Sequence, residues 1–84
     1  MTDHGLSNRE NVSARDDATS LLQFGMRYAN SEVVDLVAAH KWFNLAAMRG
    51  SREAARLRRE IAAEMSPEEI AAAQRAARDW LTTH

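Results

Sequence analysis

The stretch DLVAAHKWFNLAAMRGSREA, residues 35–54, decides the fold. Within it Leu36, Ala39, Phe43, Ala46 and Ala47 recur at steps of three and four, the spacing of one face of an α-helix. Ala38, Trp42 and Leu45 form a second apolar stripe beside the first. Only Lys41, Asn44 and the Val37/Met48 edge are left for water. A helix apolar over most of its circumference is central in its domain. The Asp35 carboxylate can accept the orphan amides of the first turn, which starts the helix at about Leu36. Gly50 directly after Arg49 suits the left-handed residue that closes a helix, and Ser51 is a good cap for the next one.

On the N-terminal side, Leu21, Phe24 and Tyr28 recur with Leu22, Gly25, Met26 and Ala29 at helical spacing, which predicts a helix from about Asp17 to Ala29. Asp16 and Asp17 suit the positive end of its dipole, and Asn30-Ser31 break the pattern. On the C-terminal side, Ala54, Leu57, Ile61 and Met65 give a third helix one narrow apolar stripe. Arg52, Arg56, Arg59, Glu53, Glu60 and Glu64 occupy its other side. Ser66-Pro67-Glu68-Glu69 then reads as a full capping box. Ser66 caps the Glu69 amide, Glu69 reaches back to Ser66, and Pro67 takes the first helical position. A fourth helix follows with Ile70, Ala73, Ala77, Trp80 and Leu81 on one face, fraying near Thr82. No segment alternates apolar and polar residues in the manner of a strand. The fold class is all-α, an antiparallel hairpin followed by two further helices. Residues 1–15 are polar and aperiodic and read as a flexible tail; residues 16–84 read as one helical domain.

Eighty-four residues suffice for one small domain, whose core supplies no more than about 3–5 kcal/mol. The chain has no cysteine, so neither disulfides nor thiolate metal sites can add to that. Helix packing or a partner must supply the stability. Formal net charge is −1, so bulk charge does not attract nucleic acid or membrane. The charge is unevenly placed: residues 1–35 carry −3, residues 36–60 carry +4, and residues 61–84 carry −2. MTDHGLSNRENVSARDD lacks the apolar centre of a secretory signal, and no apolar run approaches the ~20 residues of a membrane span. A cytoplasmic location is expected.

Candidate chemistry is sparse. His4, His40 and His84 lack zinc-ligand spacing, so no metal is expected. Glu68 and Glu69 are consecutive on a helix, point about 100° apart and do not share a site. No nucleophile motif frames a serine and no glycine-rich phosphate loop is present. Catalytic residues and cofactors are therefore not expected. Arg49, Arg52, Arg56 and Arg59 line one face, but glutamates interleave them, and a solvated face is favoured over a binding patch.

The residues Phe24-Gly25-x-x-Tyr28 and Asp35-x-x-x-Ala39-x-x-Trp42-Phe43-x-x-Ala46-Ala47-x-x-Gly50-x-x-x-Ala54 resemble a Sel1-like repeat, a family of the tetratricopeptide-like α/α solenoids. Phe43 stands for its usual tyrosine. The segment from Met65 to Trp80 is similar to the closing helix of bacterial proteins of that family. The Gly-rich hairpin loop is replaced by the shorter Asn30-Ser31-Glu32-Val33. Arg58-Arg59 stand where a following repeat would place Leu-Gly, so the array is expected to stop after one repeat, with the last two helices as its cap. Phe24, Gly25, Tyr28, Ala39, Trp42, Phe43, Ala46, Ala47, Gly50, Ala54, Leu57, Ile61, Ile70 and Trp80 are read as the structural core. Small residues at 25, 46 and 47 let the helices approach closely, and the aromatic rings fill the rest.

The resemblance implies a non-catalytic protein–protein interaction module, an adaptor, scaffold or accessory subunit. A single repeat leaves a face to cover, so the expected partner is another protein or a copy of the chain itself. His40, Lys41, Asn44 and Met48 on the second helix and Arg52, Arg56 and Arg59 on the third are the expected contact residues. The alternative is a small nucleic-acid-binding regulator using Arg52, Arg56, Arg58 and Arg59, which a steep salt dependence would reveal.

Overall fold

A computed structural model describes residues 17–83. The tail read for residues 1–15, with His4, and the terminal His84 lie outside the described residues. Those described form four helices: α1 Ala18–Ala29, α2 Leu36–Met48, α3 Arg52–Ala62 and α4 Pro67–Thr83. There is no strand among them.

Each start is set by a side chain that accepts an otherwise orphaned amide. Asp17 Oδ1 accepts from Ser20 at 2.8 Å, Asp35 Oδ1 from Ala38 at 3.0 Å, and Ser51 Oγ from Ala54 at 3.0 Å. The capping box is closed in both directions. Glu69 N–H donates to Ser66 Oγ at 3.1 Å, and Ser66 N–H donates to Glu69 Oε1 at 2.8 Å. Helix α2 ends where Gly50 turns to φ 105°. The Gly50 amide bonds the Ala47 carbonyl and the Ser51 amide bonds that of Ala46, both at 3.0 Å. This is a Schellman closure. Ser51 thus ends one helix through its amide and starts the next through its hydroxyl, which keeps the α2–α3 turn short.

Helix α2 is central. Helices α1, α3 and α4 each pack on it and meet one another only marginally. Leu21, Ala39, Phe43, Leu45, Ala46, Ala54 and Ala77 form the buried cluster, with Phe43, Leu21 and Leu45 its largest members. Fully burying each of those three is worth about 1.5–3 kcal/mol. Small residues set the spacing. A Cβ on Gly25 would stand 2.5 Å from Phe43 Cε1 and 3.1 Å from its Cγ, so α1 rests on the face of that ring. Phe24 of α1, Trp42 of α2 and Trp80 of α4 form a ladder of rings. Their centroids are 5.1 Å and 5.9 Å apart, at 51° and 76°, within the tilted and edge-on geometries that aromatic pairs prefer.

Four expectations are corrected. Tyr28 is 40% exposed. It shares the arc of Phe24 but lies one turn further on, where only the start of α2 runs alongside and Asp35 N–H bonds the Tyr28 carbonyl at 3.2 Å. Gly50 is exposed, and its place in the fold rests on its backbone conformation. His40, read as a contact residue, is buried at 4% exposure. Three helices surround α2, which leaves less of its circumference to water than the apolar stripes alone suggest. Leu81, placed on the packed face of α4, is 37% exposed near the end of that helix.

Candidate functional site

The residues expected to meet a partner do not form one surface. His40 is interior, and its Nδ1 finds no hydrogen-bond partner among the described residues. Burial lowers its pKa from the ordinary value, and the Arg58 guanidinium lowers it further. Asn44 is half-buried and accepts a 2.5 Å hydrogen bond from Arg58 Nη1, which ties α3 to α2. Lys41 Nζ lies 4.3 Å from the centroid of the Trp42 ring, a cation–π contact. Met48 is 58% exposed at the α2–α3 turn. Arg56 is held by Glu60 at 2.7 Å and Glu53 at 3.6 Å. Of the arginine face, Arg52 and Arg59 stand exposed with no ion-pair partner among the described residues.

A different feature stands out between α1 and α3. These helices both pack on α2 but scarcely touch each other. The gap is an open cleft of about 310 Å³. Met26 and Ala29 line it from α1 and Asn30 from just beyond its end, Val34 and Leu36 from the connection into α2, Phe43 from α2, Leu57, Glu60 and Ile61 from α3, and Glu64 from the turn that follows α3. Leu57 and Ile61 are half-buried. Met26 is 37% exposed and Val34 52%, with Val33 beside it at 85%. Apolar surface at the mouth of a concave site is surface that a ligand or partner can cover.

None of the expected contact residues lines this cleft. Two features of the sequence could have pointed to it. Valines 33 and 34 stand outside any helix, with no element to bury them. The apolar arc of α1 runs from Phe24 through Leu21 and Gly25 to Met26, wider than one neighbouring helix can cover. Chemistry does not converge at the cleft: its polar members are Asn30 and two glutamates. Among the described residues no group of three or more His, Cys, Asp or Glu could hold a metal ion, and no helix is long and apolar enough to cross a membrane.

No protein-family model matches the chain, and neither a curated protein nor a solved structure does.

Proposed function

We propose that this chain is a non-catalytic protein-interaction module, an adaptor or accessory subunit, that receives its partner in the cleft between α1 and α3. The observation that carries this is the exposed apolar wall of that cleft, Met26 and Val34 above Leu57 and Ile61. Apolar anchors in such a recess, with a polar rim around them, are what a docking interface uses. A Sel1-like hairpin, with Gly25 seated on Phe43 and the arginines 58 and 59 barring a second repeat, fits the same reading. The nucleic-acid alternative has less behind it. Arg56 is held by two carboxylates and Arg58 by Asn44, which leaves Arg52 and Arg59 for phosphates.

The test is affinity capture from the cell extract with the intact chain, Val34→Lys, Met26→Lys and the Arg52→Glu/Arg59→Glu pair, each first shown to melt like the parent. The expected result is one set of captured proteins lost with both cleft variants and kept with the arginine pair. Capture kept by the cleft variants and lost with the arginine pair, or nucleic acid as the captured species, refutes the proposal.

A further inference from the structure

We infer that the occupant of the cleft is a basic amphipathic helix of a partner protein, rather than a small molecule or a second copy of this chain. The inference rests on the docking reading above and names the chemistry of the partner.

Size comes first. A cleft of about 310 Å³ is at the lower limit for small-molecule sites, which run from roughly 300 to 1,000 Å³. It suits one or two anchor side chains of a larger ligand. Charge comes second. The rim holds Glu60 and Glu64, and among the described residues no cation lines the cleft. Arg56 reaches Glu60 from the preceding turn and is shared with Glu53. The Glu64 carboxylate has no ion-pair or hydrogen-bond partner among the described residues. The C-terminal turns of α1 and α3 both border the cleft, and helix C-termini carry partial negative charge. The opposing N-terminus of α2 is already capped by the Asp35 carboxylate. The site is therefore an apolar floor under a negative rim.

Row geometry comes third. On α3, Leu57 and Ile61 are four residues apart, one helical turn, with Glu60 beside them, and Glu64 follows in the turn just past the end of that helix. An apolar row on the helix is thus flanked by one carboxylate on the helix and a second at its C-terminal end. Their complement is a helix with apolar residues at one-turn spacing and lysines or arginines alongside them. Among the described residues the chain offers no such helix. The outer face of α3 has Arg52, Arg56 and Arg59 without a large apolar residue, and on α4 Arg75 and Arg78 accompany Leu81 alone.

Two synthetic helical peptides with the same leucine face test this, one carrying lysines at its polar positions and the other glutamates. Each is titrated into the full chain by fluorescence anisotropy and by amide chemical-shift mapping. The lysine peptide is expected to bind, to shift Ala29, Leu57 and Ile61, and to bind about tenfold or more tightly than the glutamate peptide. Glu60→Gln/Glu64→Gln should weaken it by about three- to tenfold, since each exposed pair contributes little alone, and should flatten its salt dependence. Val34→Lys should weaken both peptides. Equal binding of the two, or no effect of the glutamine pair, overturns the basic-helix inference while the Val34→Lys result still supports the cleft. Binding of neither peptide, or shifts centred on Trp42 and Trp80, also overturns it, and the capture experiment then judges the docking reading separately. A mass that rises with concentration and falls back in Arg78→Glu would identify the occupant as a second copy and overturn it as well.

Discussion

Gly25→Ala isolates the contact on which the hairpin is built. The added methyl would stand 2.5 Å from Phe43 Cε1 and closer still to its Cδ1, well inside a normal carbon–carbon contact of about 3.5–4.0 Å. The ring cannot swing away, because Phe43 is 1% exposed and is packed within the buried cluster. The helices must separate or the ring must leave its rotamer. Overpacking of this kind costs about 1–3 kcal/mol, and the full enclosure of the ring argues for the upper end. Alanine returns at most about 1 kcal/mol through helix propensity. The net loss is about 2 kcal/mol, near half of the roughly 3–5 kcal/mol a core this small supplies. Urea denaturation followed by circular dichroism at 222 nm should show a lower midpoint with an unchanged slope. The melting temperature should fall by about 8–16 °C, at about 4–8 °C per kcal/mol for a domain of this length. Phe43→Leu in the same background should restore part of the loss, with a coupling energy of about 1 kcal/mol or more. A Gly25→Ala protein as stable as the parent, or additive behaviour with Phe43→Leu, would refute the close-approach argument.

Four further outcomes are expected. His40 has a lowered pKa in the folded chain, so the unfolded chain binds more protons below the ordinary value of about 6.5. Stability is then complete above that pH and declines as pH falls through the window beneath it. Urea midpoints between pH 5.5 and 7.5 should show the decline, and His40→Leu should flatten it. Ser66→Ala opens the capping box and should cost about 1 kcal/mol, read in the same denaturation assay. Asn44→Ala leaves the half-buried Arg58 without its acceptor and should cost about 1–3 kcal/mol, with Arg58→Met in the Asn44→Ala background recovering part of it. Arg56→Ala should shift stability by less than about 0.5 kcal/mol, because its two ion pairs are more than half exposed.

Helix positions and their ends were legible in residues 17–83 because the responsible chemistry is local. A cap and the amide it accepts lie within three residues, and so do both halves of the Ser66/Glu69 box. The left-handed Gly50 was legible for the same reason. The contact between Gly25 and the Phe43 ring was foreshadowed by small and large residues at facing positions. What was not legible depends on how far one helix overlaps another. His40 and Lys41 are neighbours on α2, and nothing local says that the first is enclosed while the second lies along a tryptophan face. Tyr28 has the same phase as Phe24 and differs only in lying past the end of the overlap. The cleft was hinted at only by Val33, Val34 and the wide apolar arc of α1, because it is a property of two helices that scarcely meet. Arg58 was read as a side chain that stops a repeat; its bond to Asn44, fourteen residues away, adds a cross-link that spacing alone cannot reveal.

The arrangement of three helices around α2 bears on how the chain comes apart. Because the outer three lean on the middle one and hardly on each other, none of them can hold its place once the middle one melts. The amides of residues 39–48 should therefore exchange with solvent only through global unfolding, while outer segments open one at a time at lower cost. A partner that grips only α1 and α3 would bridge two pieces that scarcely touch each other, and would slow exchange in segments it never touches.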